Sequence, residues 1–408
     1  MKYLVYLFFI LCLFPYLDFL QLGTDTQPNA LLVGIVLLIG IRNKKINAPL
    51  VLLWLVFICS IFLVFYNNVS FFDYLKNTFN YLSPPLIATV TYLILNQLKY
   101  KISFRFFFSA ISIYAIIGLV QLYFIPDFLT FLVNMARGTL SGGRGVVSLF
   151  SEPAYYGSTC LLFMAFSLLS YTRKQNLWVG GLLFFQLVFL SRSATAIAIF
   201  LAAIGLFTLL QLLRFRLRYL MGSVVGLSLA TMLLFNYWNK IESTRAGELA
   251  QVFIENPLLI TQIDGSVGIR FTGTVAPFLS MRHNYFMPQG LGYYTEFLKK
   301  FSDKGMYRSF LSVDRAEKKP KLSGSLNMVL YQLGFIGLFL PLALYLAFRG
   351  QLREDAVLLA FLLLVVTMMT QIQMMNAMIG LVIGAAIYQG KLKSRNKNQV
   401  ALTVSKQT

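Results

Sequence analysis

The chain has 408 residues, of which 58% are hydrophobic and 12% are charged, whereas soluble globular proteins have about 25% charged residues. The apolar residues form long uninterrupted runs, which is the pattern of membrane-spanning helices and excludes an ordinary soluble domain. The net charge of +20 comes from small basic clusters between these runs. No basic patch is interleaved with exposed aromatic residues, so nucleic-acid binding is disfavoured.

Twelve apolar runs predict membrane-spanning helices, because a span needs about 17–25 mostly apolar residues and shorter runs can cross where the bilayer thins. The last two runs are joined by a very short connector near Gln373, and they form either two spans or a helical hairpin that barely crosses. The sequence therefore predicts an all-α polytopic membrane protein. The predicted helices are Tyr3–Leu20, Pro28–Ile41, Ile46–Tyr66, Leu82–Leu98, Phe106–Phe124, Ala154–Tyr171, Leu177–Leu190, Ala194–Leu213, Tyr219–Trp238, Ser325–Phe348, Ala356–Met374 and Asn376–Tyr388.

Lys and Arg residues cluster in every second connection, and such clusters orient membrane helices with those connections in the cytoplasm. These connections hold 19 of the 35 basic residues and 2 of the 15 acidic residues, which places both termini in the cytoplasm. We predict one membrane domain over residues 1–390 and, at 391–408, a basic cytoplasmic tail without fixed structure. Outer loops are predicted at 125–153 and at 239–324, the larger one between the ninth and tenth helices.

Two classes of function lack their usual residues. Ion-coupled transporters place charged side chains at helix centres, and no predicted span has an Asp, Glu, Lys or Arg there. Nucleotide-driven enzymes need a phosphate-binding loop, and the cytoplasmic connections contain neither a Walker loop nor a dinucleotide fingerprint. Gln121, Gln186, Asn236 and Gln332 lie within spans, where hydrogen bonding between helices is the simplest interpretation.

The ionisable residues gather at the predicted outer face, beginning with one carboxylate. Glu152 lies in FSEPAYYGS, where the first outer loop re-enters the membrane, and Pro153 suits the first turn of a helix. Two interpretations remain open. Either Ser151 or Glu152 caps this helix and complements its dipole, or Glu152 is an active-site carboxylate.

Five arginines and the only histidine of the chain share that face. They are Arg137 and Arg144 in ARGTLSGGRG, Arg192 in the tight turn FLSRSATAI, and Arg270, Arg282 and His283 in the large loop. A guanidinium binds phosphate oxygens with a two-pronged fork, although Arg192 is equally well interpreted as a snorkelling anchor. His283 is a possible proton acceptor, although a lone loop histidine is more often a surface or packing residue. Together these residues suit a substrate with a lipid tail and a diphosphate.

The order and spacing of these segments resemble the bacterial O-antigen and exopolysaccharide polymerase family, which is related to the O-antigen ligases. RGVVSLFSEPAYYG is similar to the family's Arg, Glu-Pro and Gly pattern, and LSRSATAIAIF is similar to its Ser-Arg-Ser/Thr segment after a tight outer turn. SVGIR, PQGLGYY and SLNMVLYQLGFIGL resemble its Arg segment, its Gly-x-Gly segment and the helix entry that follows. The resemblance covers the whole chain in layout and implies a C-type glycosyltransferase-like fold.

The resemblance implies a polymerase that transfers a growing glycan from undecaprenyl diphosphate onto the next lipid-linked repeat unit, at the outer face of the bacterial inner membrane. Neither a cofactor nor a metal ion is expected. The expected partners are the lipid-linked substrates, membrane lipids, and a chain-length regulator and a flippase of the same pathway. The expected site comprises Glu152, Arg270 and His283 as catalytic residues, with Glu152 or His283 as the base, and Arg137, Arg144, Arg192 and Arg282 as diphosphate ligands.

Two other functions remain open. An O-antigen ligase would transfer glycan to lipid A-core. Ligases carry a histidine-asparagine pair late in the large loop, whereas here His283-Asn284 precedes QGLGYY and Ser323-Gly324-Ser325 stands in the later place. A flippase or transporter for lipid-linked oligosaccharides would need a charged central cavity, which the sequence does not provide.

Overall fold

The structure of the protein is a computed structural model that describes residues 1–19, 26–41, 46–64, 71–133, 145–214, 259–263, 265–283, 285–290 and 324–405, with six further positions between 247 and 256. These residues form helices and connections without a β-strand, which confirms the prediction of an all-α chain. Three helices are long and apolar enough to cross a membrane, namely Phe104–Tyr123, Ala194–Leu213 and Ser325–Phe348.

Most helices follow the apolar runs of the sequence, but Gly265–His283 is a helix within the predicted large loop. The predicted span Tyr219–Trp238, with Asn236 in it, lies outside the described residues. Two helices end in a π-helical segment, α4 at Ile94–Leu98 and α7 at Gln186–Ser191, and a 3₁₀ segment, Gly334–Leu338, joins α10 to α11. The bounds are α1 Lys2–Leu13, α2 Asn29–Gly40, α3 Ala48–Val64, α4 Phe71–Leu93, α5 Phe104–Tyr123, α6 Pro153–Ser170, α7 Arg173–Phe185, α8 Ala194–Leu213, α9 Gly265–His283, α10 Ser325–Leu333, α11 Phe339–Phe348, α12 Asp355–Thr370 and α13 Ala377–Ser405.

Helix α4 is longer than the sequence predicts. It begins at Phe71, whereas the apolar run predicts a start at Leu82. The additional turns contain Asp73 and Lys76, which lower the local hydropathy and hide the segment from a search for apolar runs. Pro84 and Pro85 lie inside the helix, although each removes a backbone donor. Hydropathy therefore predicts only the continuously apolar part of α4.

Helix α13 occupies the centre of the bundle and packs against α4, α6 and α11. Its contact with α4 depends on two glycines. A Cβ on Gly380 would lie 2.7 Å from Ile87 Cβ, and a Cβ on Gly384 would lie 2.7 Å from Thr91 Cβ. Small residues at such crossings allow two helices to approach closely. The α12–α13 connector, residues 371–376, is consequently drawn into the bundle, and all of its residues except Gln373 are buried.

The last helix also extends beyond its predicted end. Helix α13 continues to Ser405, so the expectation of a tail without fixed structure is wrong for residues 391–405. This segment has no Gly or Pro, and an anchored helix extends without a new nucleation step. Lys391 Nζ donates a hydrogen bond to the Tyr92 hydroxyl at 2.7 Å, which fixes the beginning of the basic segment against α4.

Amide side chains inside the bundle make the hydrogen bonds that the sequence predicts for them. The Tyr156 hydroxyl of α6 donates to Gln186 Oε1 at 2.8 Å, and the Tyr81 hydroxyl of α4 donates to Gln332 Oε1 of α10 at 2.8 Å. Gln121 bonds instead to the backbone of the first outer loop. These three amides therefore hold elements together, as interhelical hydrogen bonding predicts.

Candidate functional site

Glu152 occupies the N-cap position of α6, with Pro153 as the first helical residue. The Glu152 carbonyl accepts hydrogen bonds from the amides of Tyr155 and Tyr156 at 3.1 and 3.2 Å, but its carboxylate makes no capping hydrogen bond. Ser151 Oγ is buried and has no partner among the described residues, so it does not cap the helix either. The N-cap position explains why Glu152 lies at the start of α6, but it does not explain why the side chain is a carboxylate.

The side chain of Glu152 faces Arg270, which lies on α9. Arg270 Nη2 is 3.6 Å from Glu152 Oε2, and Arg270 Nη1 donates to Thr195 Oγ1 at 2.6 Å. The side chains of Arg270 and Glu152 are 25% and 30% exposed, so both are held by packing and still reach solvent. We name Glu152, Thr195 and Arg270 the outer cluster. It joins the start of α6, the start of α8 and α9.

Arg192 stands in the turn that leads into α8. Its backbone is left-handed, with φ at 44°, a conformation that costs a non-glycine residue about 1–2 kcal/mol. The side chain is exposed, and Nε donates to the Phe189 carbonyl at 3.2 Å. Thr195, the partner of Arg270, follows three residues later. The Arg270 guanidinium thus lies at the first turn of α8, near the positive end of the helix dipole and beside one carboxylate. Arg192 stands two residues before this helix. Positive charge at a helix start favours an anionic ligand.

Glycines bring the elements of the site into close contact. A Cβ on Gly145, at the end of the first outer loop, would overlap the backbone of Ser191 in the turn before α8. A Cβ on Gly157 of α6 would lie 2.5 Å from Ala196 Cβ of α8. The first outer loop, the turn and α6 are therefore packed backbone to backbone. This packing sets the position of Glu152 relative to the start of α8.

One turn into α6 from Glu152, the site meets the α12–α13 connector. Gln373 Nε2 donates to the Tyr155 hydroxyl at 3.4 Å, and Thr26 Oγ1 donates to Gln373 Oε1 at 3.0 Å. Asn327 of α10 donates to the Met369 carbonyl in the last turn of α12, just before the connector. Polar contacts therefore continue from the outer cluster to the centre of the bundle.

Two other predicted site residues, Arg282 and His283, are not brought to the outer cluster. Arg282 and His283 end α9, and at a rise of 1.5 Å per residue they stand about 18–20 Å along the helix from Arg270. The Arg282 side chain is exposed. Arg137 and Arg144 lie outside the described residues. The catalytic role of His283 and diphosphate binding by Arg137, Arg144 and Arg282 stay predictions.

Sequence reasoning missed Tyr155, Gln371 and Gln373, and considered Thr195 only as a neighbour of Arg192. One signal for the two glutamines is visible in TMMTQIQMMNAM, where amides interrupt an otherwise apolar hairpin. No local signal exists for Thr195, because its partner Arg270 is 75 positions away in the chain.

Comparison with known proteins gives no match, either to a protein-family model or to a curated protein sequence. Within the described part of the chain, no three His, Cys, Asp or Glu side chains come together as a metal-binding group. What the outer cluster offers is a fixed guanidinium, which binds anions, beside a carboxylate, which accepts protons.

Proposed function

We propose that the protein is a glycosyltransferase that polymerises lipid-linked repeat units at the outer face of a bacterial inner membrane. It transfers a growing glycan from undecaprenyl diphosphate to the next lipid-linked unit, and it uses no metal ion. The observation that carries this proposal is the contact of Arg270 with Glu152 and Thr195. Those three residues come from RGVVSLFSEPAYYG, LSRSATAIAIF and SVGIR, three of the five segments that carry the family resemblance.

The proposed reaction needs one proton acceptor and one stabiliser of negative charge. The acceptor hydroxyl oxygen attacks the anomeric carbon of the donor sugar, and the bond from that carbon to the diphosphate oxygen breaks. The electron pair leaves with undecaprenyl diphosphate, and the hydroxyl proton passes to Glu152. Arg270 and Arg192 provide positive charge where the leaving group becomes more negative. A preorganised donor in such a place contributes about 3–4 kcal/mol.

Donor binding and proton transfer are coupled through Arg270 in this proposal. Glu152 and the donor diphosphate compete for the same guanidinium, so a bound diphosphate frees the carboxylate to accept a proton. Thr195 holds the guanidinium during this exchange through its 2.6 Å hydrogen bond. Glu152 is favoured over His283 as the base, because α9 places His283 about 20 Å along its axis from Arg270.

The proposal includes the twelve-span topology with both termini in the cytoplasm. Arg192 and Arg214 flank α8, so one end of that helix belongs to the proposed outer site and the other to a cytoplasmic basic cluster. Helix α12, with 16 residues, is about 24 Å long and shorter than the roughly 30 Å apolar core of a bilayer. The α12–α13 pair therefore acts as a hairpin that ends inside the bundle.

A fusion to the C-terminus tests the proposed orientation. A fluorescent protein that folds only in the cytoplasm should fluoresce when it is fused there. A dark fusion that is fully expressed would contradict a cytoplasmic C-terminus.

A deletion strain tests the proposed function. Loss of long polysaccharide with single lipid-linked units retained, including one-unit caps on lipid A where the host makes them, is the expected result. Loss of every cap would mean a ligase. Repeat units trapped on the cytoplasmic leaflet would mean a flippase. The measurement is the size distribution of polysaccharide on gels together with extraction of lipid-linked intermediates.

A further inference from the structure

The α12–α13 connector collects buried amides in the centre of an apolar bundle. Gln371 is 7% exposed, and neither Nε2 nor Oε1 of its side chain has a hydrogen-bond partner among the described residues. Asn376 is fully buried; its Oδ1 accepts from Met378 N at 3.0 Å, and its Nδ2 has no partner within the same residues. Buried polar groups are normally paired, because an unpaired one destabilises the fold. Two such amides in one short connector point to a bound ligand.

Two unpaired hydroxyls, one just before α6 and one within it, accompany these amides. Ser151 Oγ and Thr159 Oγ1 are buried, and neither finds a partner in the part of the chain that the structure describes. Thr159 follows Tyr155 by four residues, so the two share one face of α6, and Tyr155 is the residue that contacts Gln373. Helix α6 packs along both α12 and α13. The unpaired hydroxyls and amides therefore belong to segments that pack against one another, and Tyr155 and Gln373 are in contact between them.

The unpaired groups are uncharged and can both donate and accept hydrogen bonds. Amides and hydroxyls each offer both donors and acceptors, which is what the hydroxyls of a sugar require. The connector itself contains no charged residue. Tyr155, which contacts the connector through Gln373, belongs to an aromatic group: the Tyr16 ring lies 5.8 Å from that of Tyr155 and 4.9 Å from that of Phe150. Apolar walls with a few convergent polar groups are typical of small-molecule sites.

We propose that the α12–α13 connector, with Ser151 and Thr159, is a sugar subsite that binds the non-reducing end of the acceptor repeat unit. The subsite begins one helical turn from Glu152, so a sugar bound there presents a hydroxyl to the proton acceptor. Gln371 is a binding residue of this subsite. The inference rests on the proposed polymerase function, because it assigns the acceptor end of that reaction.

Replacing Gln371 with methionine separates a binding role from a structural role. Met has nearly the volume of Gln, so Gln371→Met removes the unpaired amide without opening a cavity. A structural role predicts a lower melting temperature. A binding role predicts an unchanged or higher melting temperature, because an unpaired amide kept for binding does not stabilise the fold. It also predicts at least a 10-fold weaker affinity for the acceptor sugar.

The binding experiment uses the full-length protein in lipid nanodiscs. The probe is the repeat-unit oligosaccharide released from the host's lipid carrier by mild acid, and affinity is measured by saturation-transfer NMR. Gln351→Met is the matched control: Gln351 is 2% exposed, its Oε1 has no partner in the described ranges, and it precedes α12 whereas Gln371 follows it. We expect wild type and Gln351→Met to bind equally, and Gln371→Met to bind at least 10-fold more weakly.

Two results would overturn the subsite. One is equal affinity of wild type and Gln371→Met for the oligosaccharide. The other is no binding to wild type, which would mean that the unpaired amides and hydroxyls bind water only. Should Gln371→Met fail to accumulate, Ser151→Ala is held to the same outcomes, with at least a 3-fold loss expected. Arg270→Ala keeps the two proposals distinguishable. It should bind the oligosaccharide normally yet form polymer at least about 100-fold more slowly. Normal polymer in that variant would overturn the catalytic role of Arg270 whatever the sugar affinity, and the deletion strain tests the polymerase function itself.

Discussion

Arg270→Ala is expected to lower the rate of polymer formation by at least about 100-fold, because it removes a preorganised cation from the leaving group. It also removes the hydrogen bond to Thr195 and the ion pair with Glu152. The stability of the protein should change little, since a partly exposed ion pair contributes about 0–1 kcal/mol. The measurement is chain length and polymerisation rate with lipid-linked repeat units, alongside the melting temperature of the purified protein.

Arg214→Ala is the matched control for this experiment. Arg214 caps the opposite end of α8, and both of its terminal nitrogens donate to the Leu352 carbonyl at 3.2 Å. It is an arginine with comparable contacts outside the proposed site, so its loss should leave polymer length unchanged. Arg270→Lys should fall between wild type and Arg270→Ala, because lysine keeps the charge but loses the fork. Normal chain length in Arg270→Ala would refute the assigned role of the guanidinium.

Glu152→Gln should lower turnover by about 100-fold to 10,000-fold, the usual contribution of a positioned general base. The amide keeps the size of the side chain and the N-cap backbone of α6, but it does not accept the proton of the acceptor hydroxyl. Because Pro153 and the two backbone hydrogen bonds of the Glu152 carbonyl remain, α6 should begin at the same residue. The expected signature is a low kcat with a KM for the acceptor that is nearly unchanged.

The capping interpretation of Glu152 makes the opposite forecast. If the carboxylate only complements the dipole of α6, then Glu152→Gln changes stability by about 0.3–1 kcal/mol and leaves turnover intact. Glu354→Gln controls for the loss of a paired carboxylate, since Glu354 pairs with Lys393 of α13 and is 52% exposed. Full activity in Glu152→Gln, equal to that of Glu354→Gln, would therefore leave the carboxylate a structural role alone.

Hydropathy predicts the helical class and most of the helices well, because apolar runs are a local property of the sequence. It fails where a helix is amphipathic or polar. The first turns of α4, with Asp73 and Lys76, and the end of α13, over residues 391–405, are helical although neither segment is apolar. Those segments are stabilised by contacts such as that of Lys391 with Tyr92, which hydropathy does not encode.

The candidate site was likewise predictable only in part. Glu152 and Arg270 are predictable because ionisable residues gather in the predicted outer segments and the motif order singles these two out. The contacts that join them are not predictable, because Thr195 and Gln373 are ordinary polar residues whose partners come from distant segments. Gln371 illustrates the remaining gap: a lack of hydrogen-bond partners within the described residues is a property of packing that no sequence motif contains.

The bond from Thr26 to Gln373 joins residues that are 347 positions apart. At about 5–20 residues per second of synthesis, roughly 20–70 seconds pass between the emergence of the two residues from the ribosome. The first helices are thus inserted in the membrane long before their partner exists. A nascent chain that already contains Glu152 and Arg270 still lacks the connector on which the acceptor sugar is proposed to rest. The order of translation thereby delays the acceptor side of the site until the final hairpin has been made.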